Sequence, residues 1–94
     1  MTNKEIRPEN ILAEDENYKI IKSVRVRKGT IGAALQNASV LSSRIASTAE
    51  KDQAKKILLE LAPALVVLGG YEHFVWKNPE IQKIVEAAAK KLNV

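Results

Sequence analysis

Residues 61 to 76 read LAPALVVLGGYEHFVW and contain the protein's single tryptophan, its single phenylalanine and its single histidine. Apolar side chains dominate this segment, but Glu60 lies just before it and Glu72 lies within it. A helix that crosses a bilayer needs about 20 largely apolar residues. The segment is therefore too short and too interrupted to span a membrane, and we interpret it as part of a core that bends at Pro63 and turns at Gly69-Gly70.

The length and composition predict one globular domain over residues 1–94, with residues 1–9 as a flexible N-terminal arm. Hydrophobic residues make up 46% of the chain and charged residues 28%, which is an ordinary balance for a folded protein. The chain has no cysteine, so it forms no disulfide and no thiolate metal site. The N-terminus lacks the apolar stretch of a signal peptide. We therefore expect a cytoplasmic protein that does not insert into a membrane.

The net charge of +4 is distributed unevenly along the chain. Residues 1–17 hold two basic and five acidic residues, a net charge of −3. Residues 18–30 hold five basic residues and no acid, a net charge of +5. A domain that binds nucleic acid along a whole face usually shows a broader basic excess. The pattern is one basic segment beside one acidic arm, and the two can partly neutralise each other.

The basic segment alternates between apolar and charged residues, as a half-buried strand does. Tyr18, Ile20, Val24 and Val26 occupy one side of this alternation, and basic residues occupy most of the other. The pattern predicts a single strand with one buried face and one basic face. Backbone groups of a strand need a hydrogen-bonding partner. Two partners stay open at this point: the segment 72–76 of the same chain, or the same strand of a second subunit.

The next segment predicts a helix that begins at Thr30, with the Thr30 hydroxyl as the N-cap, and continues to about Ala46. Apolar residues recur at helical spacing along it. Many residues of this segment are small, which allows a neighbouring helix to approach closely. We therefore expect this helix to be central in the domain. Its apolar stripe consists of Ile31, Ala34, Leu35, Ala38, Leu41 and Ile45.

Two further helices have clear start signals. Ser47 and Glu50 have the spacing of a capping box, and the helix that follows is expected to kink or break at Pro63 and to stop at Gly69-Gly70. Asn78-Pro79-Glu80 combines an N-cap residue, a proline at the first helical position and an acid in the first turn. The predicted fold class is mainly α: a small bundle of three to four helices, one kinked at Pro63, preceded by a short basic β-strand or extended segment.

The sequence offers little for catalysis. His73 is the only imidazole, and its neighbour Glu72 would point about 100° away from it on a helix. Neither residue belongs to a recognised nucleophile motif or metal-ligand spacing. We expect His73 to be a partly buried polar residue, and we predict no catalytic residue, no metal site and no cofactor.

A candidate anion or nucleic-acid site lies where the basic segment leads into the first predicted helix. Arg25, Arg27 and Lys28 precede the helix start at Thr30, and a free helix N-terminus attracts anions. The spacing of a Walker phosphate-binding loop is absent. A ribbon of paired strands that binds DNA is a related possibility. The simpler interpretation, which we favour, is a solvated strand face.

A candidate protein interface lies at Tyr71, Phe74 and Trp76, because tyrosine and tryptophan are enriched at binding hot spots. The same rings can instead fill the core of a domain that is poor in aromatic residues. We expect Phe74 inside, and Trp76 at the rim of the core or in a homodimer contact. The predicted function is that of a non-catalytic protein acting through protein–protein contact or self-association, with a homodimer favoured. The alternative is a nucleic-acid or anion-binding module that uses the segment from Lys19 to Thr30.

Overall fold

The computed structural model describes residues 18–94, and the predicted arm at residues 1–9 lies outside them. The described part is a small helical domain with three helices and, on its N-terminal side, a two-stranded antiparallel sheet. The prediction of a mainly helical fold is confirmed at this level, and the kink at Pro63 stays a prediction. The elements are β1 (Tyr18–Ile21), β2 (Val24–Arg27), α1 (Thr30–Ser42), α2 (Thr48–Val67) and α3 (Pro79–Lys91).

The basic segment folds back on itself as a hairpin, so the predicted single strand is wrong. Strands β1 and β2 pair in a register that sets Tyr18 opposite Arg27 and Ile21 opposite Val24. The two-residue turn between them places Lys22 at φ 49° and Ser23 at φ 68°. Positive φ at both central residues is what a type I′ turn requires, and its twist matches that of the strands. The pairing partner therefore lies within the chain and within the segment itself.

The hairpin register also redistributes the side chains between the two faces. Tyr18 and Ile20 lie opposite Arg27 and Arg25, so these four residues share the outer face. The inner face carries Val26, which is 1% exposed, together with the partly buried residues Ile21 and Val24. Val26 packs against Ala64 and Val67 of α2, and this contact fixes the hairpin to the helices.

Helix α1 begins differently from the prediction. Its N-cap is Gly29 at φ 85°, and Thr30 is the first helical residue. Thr30 is 5% exposed, and its Oγ1 donates a hydrogen bond of 2.6 Å to the carbonyl of Arg27. The predicted N-cap role of Thr30 is therefore wrong: its hydroxyl ties the end of β2 to the start of α1.

The central helix is α2 rather than α1, because α2 packs against α1, α3 and β2. Its capping box is confirmed: the Glu50 amide donates to Ser47 Oγ at 3.1 Å, and the Ser47 amide donates to Glu50 Oε1 at 2.9 Å. The hydrogen bond from the Ser47 amide to the Glu50 carboxylate, followed by that from the Ser47 side chain, holds the pKa of Glu50 below its ordinary value. The predicted break at Pro63 does not occur, since α2 runs without interruption from Thr48 to Val67.

The end of α2 is a Schellman turn, which confirms the predicted stop at Gly69-Gly70. Gly69 has φ 98°, its amide donates to Val66 O at 3.0 Å, and the Gly70 amide donates to Leu65 O at 2.7 Å. These bonds satisfy carbonyl groups that have no partner within the helix. A β-carbon at Gly70 would lie 2.8 Å from Leu65 O, so the turn has no room for a side chain there.

Helix α3 starts where the sequence predicts. Asn78 is the N-cap and its Oδ1 accepts from the Glu80 amide at 2.9 Å, while its Nδ2 donates to Ser42 Oγ at the end of α1, also at 2.9 Å. The Lys55 ammonium lies 2.9 Å from a Glu80 carboxylate oxygen, and this contact raises the pKa of Lys55. The three helices bury one apolar cluster, which includes Leu58, Leu65, Ile81 and Val85.

Helices α2 and α3 run in the same direction. The start of α3 meets α2 near Lys55, through Glu80, whereas Leu92 at its end packs with Ala64 and Val67. The intervening chain must therefore return along α2 over about 18 Å, the rise of the twelve residues from Lys55 to Val67. Residues 68–78, called the connecting loop below, make this return.

Candidate interaction surfaces

Trp76 fixes the connecting loop to the domain. Its indole Nε1 donates to the Gly70 carbonyl at 3.1 Å, and its backbone amide donates to Gln82 Oε1 at 2.9 Å. The ring is partly buried and packs against the main apolar cluster. Both bonds join residues six positions apart. Trp76 therefore ties the loop to its own beginning and to the first turns of α3.

Other apolar side chains of the connecting loop face solvent. Phe74 is 60% exposed, Val75 is 83% exposed and Tyr71 is 38% exposed. We call these three residues the apolar loop patch. The expectation that Phe74 lies inside is wrong, because Trp76 is the aromatic residue of this loop that packs, partly buried, against the main apolar cluster. Val75 was missed by the sequence reasoning, since a single valine next to two aromatic residues carries no signal of exposure.

His73 lies between the members of the apolar loop patch and is exposed, so the expectation of partial burial is wrong. Its Nε2 is 3.3 Å from Glu72 Oε2, and the two side chains are 69% and 62% exposed. The His73 amide donates to the Gly69 carbonyl at 3.0 Å. At this exposure water competes for both groups, and the contact is a surface ion pair when the imidazole is protonated. Glu72 and His73 thus give the patch one acidic and one basic neighbour.

The outer face of the hairpin combines arginine with an aromatic ring. We call Tyr18, Ile20, Arg25 and Arg27 the basic hairpin face. The Arg25 guanidinium carbon lies 4.0 Å from the centroid of the Tyr18 ring, within the range of a cation–π contact. Tyr18 is 44% exposed and Ile20 is 58% exposed, although the sequence pattern predicted both on the buried side.

The structure separates the predicted anion-site residues. Arg25 and Arg27 extend from the outer face of β2, and Lys28 follows them at an exposed position. Thr30 is buried and its hydroxyl already donates to the backbone. Residues 18–49 contain no aspartate or glutamate and hold six lysine or arginine residues. Five of these basic residues lie between Lys19 and Lys28 and the sixth is Arg44, so the basic character is concentrated in the hairpin and α1 itself is uncharged.

A shallow groove of about 410 Å³ lies between α1 and the first turns of α2. Its lining is mainly apolar, and its one charged member, Glu50, is engaged in the capping box. Among residues 18–94, no three side chains of the metal-binding acidic, histidine or cysteine type come together. None of the helices in that range has the length and apolar character needed to cross a bilayer. The groove is lined by Asn37, Val40, Ala49, Glu50, Gln53 and Ala54.

Comparison of the chain with protein-family models, with curated proteins and with solved structures gave no match.

Proposed function

We propose that this protein is a non-catalytic cytoplasmic protein that acts by self-association, as a homodimer joined through the apolar loop patch. One observation carries the proposal: Phe74 and Val75 are 60% and 83% exposed on a loop that is held in place at both ends. The absence of cysteine from the chain fits a cytoplasmic location but does not by itself determine the compartment. The non-catalytic assignment is supported by the exposure of His73, whose side chain contacts the carboxylate of Glu72 at the surface.

The anchoring of the loop favours binding. A loop that is already ordered loses little conformational entropy when it meets a partner, so more of the energy from apolar burial remains as affinity. The Schellman turn at Gly69 orders the beginning of the loop, and the Trp76 contacts order its end. Small domains also commonly gain stability when they bury apolar surface between subunits.

A second copy of the chain is the partner that the charges favour. In a two-fold symmetric contact, both subunits use the same surface. If residue i of one copy contacts residue j of the other, then j of the first copy also contacts i of the second. Glu72 and His73 lie beside the residues of the apolar loop patch and carry opposite charge when the imidazole is protonated. Across such an axis, Glu72 of one copy can face His73 of the other while Phe74 and Val75 pack together. The patch is thus self-complementary in both charge and polarity.

Sedimentation equilibrium of the whole protein tests the proposal. The wild-type chain is expected to show twice the 10.4 kDa mass of one chain. The double variant Phe74→Ser/Val75→Ser is expected to shift to the mass of one chain. The matched control is Ile45→Ser/Leu59→Ser, which removes two exposed apolar side chains outside the loop and should leave the dimer intact.

A wild-type protein that stays monomeric at several hundred micromolar would contradict self-association. Equal loss of the dimer in both double variants would show that general surface hydrophobicity, and not the loop, drives association. Both results overturn the proposal as stated.

A further inference from the structure

We propose that the basic hairpin face is a binding site for single-stranded nucleic acid. In this assignment Arg25 and Arg27 contact phosphate groups, and the stacked pair of Tyr18 and Arg25 provides a platform for a base. The site lies on the hairpin and the apolar loop patch lies on the connecting loop, so this proposal does not depend on self-association.

Charge is the first support. The hairpin and α1 lie in a stretch of 32 residues, 18–49, that has six basic residues and no acid. The end of α3 adds Lys90 and Lys91 next to Leu92, which packs into the same small cluster as Val26. Residues 18–94 carry 13 basic and six acidic residues, so the described domain has a net charge of +7. Such an excess attracts a polyanion and speeds its encounter with the protein.

The arrangement of the outer face is the second support. Arg25 and Arg27 lie two positions apart on β2, so they point to the same side with their Cα atoms about 7 Å apart. Val26 between them is buried against α2, which holds the strand in place. The two arginines therefore lie side by side on a supported strand, with the Arg25 guanidinium placed over the Tyr18 ring, so a phosphate and a base can be bound next to each other.

The aromatic ring favours a single strand over a duplex. Base stacking on tyrosine or on an arginine plane requires a base whose face is free, and a duplex hides these faces inside its own stack. Tyr18 is 44% exposed with Arg25 over its ring, so the pair presents a flat surface of the kind that unpaired bases stack on. Ile20 on the same face adds an apolar neighbour for a base.

Fluorescence anisotropy with a labelled 20-nucleotide oligo(dT), an oligo(U) and a DNA duplex tests the site on the whole chain. We expect both single strands to bind at 50 mM salt and to bind more tightly than the duplex. Each lost phosphate contact lowers the slope of log K against log salt by about 0.7 for a single strand, so Arg25→Gln/Arg27→Gln should lower it by about 1.4. Tyr18→Leu should weaken oligo(dT) binding about tenfold through lost stacking.

The matched control is Lys56→Gln/Lys83→Gln, which removes the same number of charges from exposed positions on α2 and α3. It should keep most of the affinity, and circular dichroism of every variant checks that the fold is retained. Heparin serves as a polyanion without bases. Four results would overturn the proposal. The first two are the absence of binding at 50 mM salt and equal losses of affinity in the two double variants. The others are a preference for the duplex, and heparin binding at equal affinity with no effect of Tyr18→Leu.

Discussion

Two glycine-to-alanine changes should alter the stability of this protein in opposite directions. Gly69 lies in the Schellman turn at φ 98°, where a β-carbon would meet His73 Cδ2 at 2.9 Å. Gly32 lies in the first turns of α1, and a β-carbon there would meet nothing within 4 Å. The same addition of one methyl group therefore meets backbone strain at one site and open space at the other.

The magnitudes follow from the backbone at each site. A non-glycine residue held in the left-handed region costs about 1–2 kcal/mol, so Gly69→Ala should destabilise the fold by about that amount. Alanine in a helix is favoured over glycine by about 0.5–1 kcal/mol, so Gly32→Ala should stabilise it. For a domain of this size 1 kcal/mol shifts Tm by about 4–8 °C. Gly69→Ala should therefore lower Tm by about 4–16 °C, and Gly32→Ala should raise it by about 2–8 °C.

Thermal and urea unfolding followed by circular dichroism measure both effects. Gly69→Asn should lose less than Gly69→Ala, because asparagine tolerates the left-handed conformation. The double variant Gly69→Ala/His73→Ala separates strain in φ from the contact with the imidazole: full recovery of Tm would assign the loss to the His73 contact alone. A Gly69→Ala protein as stable as the wild type would refute the argument from the backbone.

The remaining predictions concern hydrogen bonds described above. Trp76→Phe keeps an aromatic ring at this position but removes the indole donor to Gly70 O and part of the packed ring. It should lower the free energy of unfolding by at least about 1 kcal/mol in urea titrations, and an unchanged midpoint would contradict a stabilising role of this bond. Ser47→Ala should destabilise the protein by about 1 kcal/mol through loss of the N-cap, and a matched Ser39→Ala change, at an exposed serine within α1, should have little effect. The lowered pKa of Glu50 means that the folded state favours its ionised form. The contribution of Glu50 to the free energy of unfolding is therefore full above the ordinary pKa of glutamate, and it is lost as pH falls through the pKa in the folded state. Glu50→Gln should therefore flatten the acid limb of stability measured against pH, and an acid limb identical to that of the wild type would contradict this reasoning.

The helix starts were predictable because their signals are local. Ser47 with Glu50, and Asn78 with Pro79, satisfy nearby amides whatever the rest of the chain does. The stop at Gly69 is local for the same reason, since only a few neighbouring backbone groups define a Schellman turn. Each of these elements appears in the structure where the residues indicate it.

The hairpin was not predictable from these signals. A type I′ turn is normally recognised in a sequence by Asn-Gly or a similar pair. In this protein Lys22 and Ser23 adopt the positive φ values instead. With the turn unseen, the even-numbered apolar residues from Tyr18 to Val26 looked like one face. The two-residue turn pairs even-numbered residues of β1 with odd-numbered residues of β2. For this reason Tyr18 and Ile20 share the outer face with Arg25 and Arg27.

The positions of the aromatic residues depended on the path of the chain. Trp76 and Phe74 lie two residues apart, and local sequence does not decide which of them is buried. The return of the connecting loop along α2 brings Trp76 to Gly70 and to Gln82, and this leaves Phe74 on the outside. The position of the central helix also depended on the path of the chain. Because α3 packs parallel to α2, α2 contacts both other helices and is central, although α1 is richer in small residues.

The parallel course of α2 and α3 also sets an order of assembly. The β-hairpin and the antiparallel pair α1–α2 close through short connections, whereas α3 can dock only after eleven residues have travelled back along α2. Contacts that close longer loops form later in folding. Gln82 of α3 holds the amide of Trp76, so the shape of the connecting loop exists only once α3 is in place. In a chain whose last helix is undocked, the connecting loop lacks this bond, so Phe74 and Val75 are not held in the arrangement seen in the folded domain. If the proposed self-association holds, it should therefore follow the docking of α3.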